Sequence, residues 1–165
     1  MKKLLIVTCL LCLATAVRAQ SLPFYMLADM ARLSAGEVEN LLVNTGKFKV
    51  NDKQEDRGQI LTFYQTIDKN KTPIKGETLI TGAYLKANDG EHLNRVTYKT
   101  IYPEYVYSLI KQIEKIGYHL SFKGKDSYQE IYIYDTNFYH VKVSLLRDRS
   151  ANTVEIRQKD LGMEP

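Results

Sequence analysis

Histidine is the side chain best suited to proton transfer or metal ligation near neutral pH, and this chain has three: His92, His119 and His140. None lies three or four residues from another, and both cysteines, Cys9 and Cys12, are far from all of them. A zinc-site spacing is therefore missing. A Ser–His–Asp triad assembles in space rather than in sequence and stays open, although no G-x-S-x-G elbow occurs. His92 follows the Asn88-Asp89-Gly90 turn and His140 alternates with apolar residues of its segment, so both read as surface histidines.

The carboxylates point to turns rather than catalysis. Glu55-Asp56 lies in a polar stretch, while Asp68-x-Asn70, Asp89 and Asp135-x-Asn137 sit at strand ends. There Asp and Asn bond their own backbone. Calcium needs six to eight oxygen ligands, from loops denser in acids than these. There is no G-x-G-x-x-G and no phosphate loop. The expectation is no enzyme, no cofactor and no metal.

Tyrosine is the unusual residue, 12 copies with no tryptophan. Tyr118 and Tyr139 are expected in the core. In the segment Ile131-Tyr132-Ile133-Tyr134-Asp135, placing the isoleucines inward turns Tyr132 and Tyr134 outward. The same face then carries His140, Lys142, Ser144, Glu155 and Arg157. Tyrosine beside basic side chains is the composition of recognition surfaces. The ordinary alternative is a solvated sheet face with stabilising cross-strand aromatic pairs. These residues are the candidate binding site.

What positions them begins after residue 19. Met1-Lys2-Lys3, the apolar run Leu4–Leu13 and the small-residue stretch Ala14–Ala19 have the three parts of a secretory signal peptide. The run is shorter than the roughly 20 residues that span a bilayer. Cleavage near Gln20 leaves one exported domain, residues 20–165, periplasmic or secreted. An uncut anchor and a lipoprotein are the alternatives, but neither Cys9 nor Cys12 follows a small-residue box. The whole chain holds 23 Lys and Arg against 19 Asp and Glu. Lys2, Lys3 and Arg18 fall in the leader, so the remainder is nearly neutral, which removes the case for nucleic-acid binding. No later segment is apolar enough to insert stably in a membrane.

The domain reads as helix and strand in alternation. Leu22–Leu33 has helical spacing, Ser34-Ala35-Gly36-Glu37 is a capping box, and the helix it opens closes at Gly46. Strands are expected at Gln59–Gln65, Thr78–Lys86 and Arg95–Thr100, with Asp68–Gly76 a polar connection. A second helix opens at Pro103, carries Val106, Leu109, Ile110, Ile113 and Ile116 as a stripe, and closes at Gly117. Strands follow at Ile131–Asp135, Tyr139–Leu146 and Thr153–Gln158. An offset of 71 residues pairs Val38 with Leu109, Gly46 with Gly117 and Ile60 with Ile131. The reading is an α+β domain: an antiparallel sheet of about six strands with helices on one face. It is a tandem repeat of helix-plus-three-strand units over about 34–100 and 102–159.

The segments Val38–Phe48 and Val106–Tyr118 and the Ile131–Asp135 strand resemble a group of uncharacterised exported bacterial proteins with such a duplicated unit. The architecture is also similar to the β-lactamase-inhibitor-protein fold, whose tandem helix-on-sheet units form a concave binding face. That likeness implies a binding surface and transfers no functional residue. The function expected is a non-catalytic exported module that recognises a protein, peptide or cell-envelope component through its sheet face. A small envelope hydrolase and a small-ligand carrier are the alternatives.

Overall fold

Two helix ends follow directly from local sequence. Ser34 caps the helix Ala35–Asn44, its hydroxyl accepting from the Glu37 amide while the Glu37 carboxylate accepts from the Ser34 amide at 2.8 Å. Gly46 and Gly117 each follow a helix with φ of 64° and 84°, the left-handed conformation that glycine adopts without a Cβ penalty.

The computed structural model describes residues 22–56, 58–68, 70–85, 92–148 and 150–159. The leader segment 1–19 and the Asn88-Asp89-Gly90 turn lie outside them. Three helices are described: α1 (Phe24–Met30), α2 (Ala35–Asn44) and α3 (Pro103–Lys115). Pro103 opens α3, with Glu104 in the first turn and Lys115 in the last, both suited to the helix dipole. Its stripe of Val106, Leu109, Ile110 and Ile113 is buried, whereas Ile116 is exposed.

The sheet has eight strands rather than about six: β1 (Phe48–Asp56), β2 (Gln59–Ile67), β3 (Pro73–Leu85), β4 (His92–Thr100), β5 (His119–Lys125), β6 (Gln129–Asp135), β7 (Tyr139–Leu146) and β8 (Asn152–Gln158). All neighbours are antiparallel, in the order β1-β2-β3-β4-β8-β7-β6-β5. The two unexpected strands, β1 and β5, are the edges. An edge strand packs little, so its sequence lacks apolar alternation, and both are interrupted by register shifts, at Val50/Asp52 and Leu120/Phe122. β3 also starts earlier than expected, since Pro73 can begin a strand. The turn before it is closed by Asp68 Oδ1, which accepts from the amides of Asn70 and Thr72.

The buried side chains form one cluster. Leu27, Leu42, Leu109 and Ile113 from the helices join Tyr64, Leu79, Val96, Tyr98, Val141, Val143, Val154 and Ile156 from the strands. Tyr139, Val141, Val143 and Leu145 are buried, as their alternation predicts. Phe24 meets the Tyr118 ring edge-on at 5.5 Å, which ties α1 to the residue after α3.

Candidate functional site

The strand β6 reverses the expectation from sequence. Tyr132 is 8% exposed and Tyr134 is 0% exposed, while Ile131 and Ile133 are half-buried on the opposite face. Register is the cause: Tyr134 pairs with Val141 and Tyr132 with Val143, and directly paired residues share a face. Hydropathy favours isoleucine inside, yet tyrosine offers more area to bury, and here both hydroxyls are satisfied. Tyr134 donates to Glu114 Oε1 at 3.2 Å and Tyr132 to Glu130 Oε1 at 2.6 Å. Burial, followed by the Glu114 charge, pushes the Tyr134 phenol well above its ordinary value, so it stays a donor. Neither tyrosine belongs to an open surface.

The other four candidates do share the opposite, polar face. Cross-strand pairing sets them in rows. One row runs His119, Asp135, His140, Arg157, Arg95, Gly82. The next runs Phe122, Ile133, Lys142, Glu155, Thr97, Ile80 and, through β2, Phe63. A third runs Ile131, Ser144, Thr153, Lys99, Thr78 and Gln65. The centre of this face is thus charged, with Phe122 and Ile133 on one flank and Ile80 and Phe63 on the other.

Phe63 and Phe122 were missed as members of this face. The signal for Phe63 was its position beside buried Tyr64; Phe122 lay in a strand with no apolar alternation. The Phe122 ring covers Gly124, where a Cβ would come 2.7 Å from its Cζ, and Leu61 likewise covers Gly82.

At the end of the first row Asp135 gathers several partners. Lys159 Nζ lies 2.6 Å and His140 Nδ1 3.1 Å from its Oδ1, and Ser121 Oγ is 2.6 Å from its Oδ2. Lys159 first, then Ser121 and His140, hold its carboxyl far below the usual carboxylate range. A serine hydrolase needs the histidine between serine and carboxylate. Here the carboxylate stands between the other two, and its lowered basicity unsuits it to take a proton from Ser121. A cavity of about 330 Å³ beside Lys159 is walled by Arg32, Phe138, Tyr139 and Gln158, without His140 or Asp135. Among the described residues, no three His, Cys, Asp or Glu side chains are grouped to hold a metal ion, and no helix is long and apolar enough to cross a membrane.

The cluster has a pH signature. A carboxyl lowered in the folded state stabilises above the unfolded value, near pH 4, and that contribution is lost as pH falls toward the folded value. In Asp135→Asn, urea midpoints should be lower than wild type at pH 7 and should converge with it below pH 4. Profiles that coincide at every pH would show that the cluster contributes nothing to stability.

No protein-family model, curated protein or solved structure matches the chain.

Proposed function

We propose that the protein is a non-catalytic exported binding module, residues 20–165 after loss of a 1–19 signal peptide. Its helices cover one sheet face, and the polar face meets an acidic protein, peptide or cell-envelope component. The observation that carries this reading is the cross-strand lattice of Arg95, Lys99, Lys142 and Arg157 between aromatic-aliphatic flanks. Asp135 and Glu155 on that face are already matched, by Lys159 and by Arg157 at 2.7 Å. Among the described residues, Lys99 and Lys142 are exposed and have no acidic partner. A face with surplus positive charge and apolar shoulders suits a partner of negative charge.

The likeness to the β-lactamase-inhibitor-protein fold and the internal duplication belong to the same proposal, with the repeated unit now a helix and four strands. Support comes from β4 and β8 meeting at the centre of the sheet and from register shifts in both β1 and β5. Tyr64 and Tyr134, 70 residues apart, are both fully buried in the second strand of their halves. The offset of 71 pairs residues of opposite faces in these strands, because Val50, at the first bulge, lies one residue farther from Gly46 than Leu120, at the second, lies from Gly117.

The test is capture of partners from the native envelope and medium on the immobilised full chain. The Lys99→Glu/Lys142→Glu variant should retain its melting temperature and lose about tenfold in capture, with wild-type capture weakening as salt rises. Equal capture by both proteins would reject this face.

A further inference from the structure

The cavity of about 330 Å³ lies at one end of the sheet, where the C-terminal end of α1 meets the β6–β7 turn and the end of β8. That size is at the lower end of the range for small-molecule sites, roughly 300–1,000 Å³. Its wall holds two cations, Arg32 and Lys159, and two aromatic rings, Phe138 and Tyr139, with Gln158 beside them. Phe138 is 56% exposed on the turn, so its ring adds little to the core and borders the cavity instead.

The two cations differ. Lys159 Nζ is 2.6 Å from Asp135 Oδ1, so its charge is already matched. Arg32 is exposed and makes no ion pair among the described residues. Asp29, three residues earlier on α1, is not part of the cavity wall and makes no ion pair with Arg32.

The aromatic side is fixed before anything binds. Thr136 Oγ1 accepts from the Phe138 amide at 3.2 Å and from the Tyr139 amide at 2.9 Å. The Phe138 carbonyl accepts from the Lys159 amide at 2.8 Å. These bonds clamp the turn that carries both rings, so little ordering entropy is lost on binding. The Tyr139 hydroxyl has no hydrogen-bond partner among the described residues and, unlike that of Tyr64, is not enclosed. Burial raises the Tyr139 phenol above its ordinary value; the Arg32 charge opposes that rise, ahead of Tyr118 and Asp29, which add to it. The phenol keeps its proton at neutral pH and is a donor.

We propose that this cavity binds a small monocarboxylate with a flat apolar body, its carboxylate on the Arg32 guanidinium and its body against the Phe138 ring. Arg32 suits a carboxylate because its planar fork offers two parallel N–H donors. Tyr139 can donate a further hydrogen bond to the same group. One unmatched cation calls for one negative charge, whereas a phosphate monoester brings nearly two. Its second charge would have to compete with Asp135 for Lys159. An exposed ion pair alone is weak in water, so the apolar body must supply part of the affinity through the ring. The site shares no residue with the Arg95, Lys99, Lys142 and Arg157 lattice and is independent of it.

The probes are phenylacetate and its uncharged counterpart phenylacetamide, titrated into the full chain with labelled Phe and Tyr rings and followed by NMR. Saturable shifts of the Phe138 and Tyr139 ring signals are expected with phenylacetate, and phenylacetamide should bind about tenfold more weakly. Arg32→Gln should weaken phenylacetate about tenfold and leave phenylacetamide unchanged. Phe138→Ala should weaken both probes alike, since it removes the apolar wall and keeps the charge. Both side chains are exposed, so both variants should keep the wild-type melting temperature. No saturable shift up to the solubility limit would overturn the proposal. Equal binding of the two probes, or phenylacetate binding unaltered by Arg32→Gln, would overturn the Arg32 contact. Tighter binding of phenyl phosphate than of phenylacetate would overturn the single charge. Phenylacetate binding that is lost in Lys99→Glu/Lys142→Glu and kept in Arg32→Gln would put the anion on the polar sheet face and overturn the site.

Discussion

Tyr134→Ala is expected to destabilise the protein by about 3–5 kcal/mol, the usual range for deleting a buried aromatic ring. Tyr134 is fully buried, and its ring stacks parallel to that of Tyr132 at a centroid distance of 6.5 Å. Truncation removes that contact, opens a cavity in the core and leaves Glu114 without the phenol it accepts from. The neighbouring substitution Ile133→Ala provides the control. Ile133 is half-buried on the polar face between Phe122 and Lys142, and its loss should cost about 1 kcal/mol or less. Urea denaturation of the two variants would decide the matter. A larger loss from Ile133 than from Tyr134 would mean that β6 is turned the other way, and the tyrosines would return to the surface.

Leu109→Ala should cost about 2–5 kcal/mol, for a reason that concerns the whole sheet. Leu109 is 0% exposed at the middle of α3. That helix packs on β7 and β8 and also reaches β4, the strand by which the first half of the chain joins the second. The β4–β8 ladder runs from Arg95↔Arg157 to Thr100↔Asn152, so the two halves share both backbone bonds and helix packing. The loss should therefore appear in one cooperative transition, with far-ultraviolet circular dichroism and tyrosine fluorescence giving the same urea midpoint. Leu42→Ala, from α2 near β1, should lower that same midpoint. Separate transitions for the Leu109 and Leu42 variants would show two independently folding halves.

These two expectations locate the boundary between what sequence and tertiary structure each decide. Local signals were legible wherever the deciding physics is local. The Ser34–Glu37 capping box, Pro103 at a helix start, glycines at φ above zero, and the apolar stripe of α3 each depend on residues within four positions of one another. Strands with strong alternation, such as Tyr139–Leu146, were legible for the same reason. The edge strands β1 and β5 were not. An edge is partnered on one side only and buries little, so Phe48–Asp56 and His119–Lys125 have no need for the apolar pattern that identifies a strand.

Facing direction in β6 was beyond local reading. Alternation says only that Tyr132 and Tyr134 share a side and that Ile131 and Ile133 share the other. Which pair turns inward is settled by long-range partners: Val141 and Val143 across the ladder, and Glu114 on a helix 20 residues away. The same holds for the candidate surface. His140, Lys142, Glu155 and Arg157 were found together by parity alone, but the rows that set Arg95, Lys99, Phe63 and Phe122 beside them require the β4–β8 junction and the full strand order. The cleft between the α1–α2 turn and the strands β2, β3 and β4 arises from segments over 60 residues apart. The amino-acid sequence alone determined the helix ends, the α+β class and the alternating strands. Only the tertiary structure decided which face each strand buries, because a period of two has no sign until a partner strand supplies it.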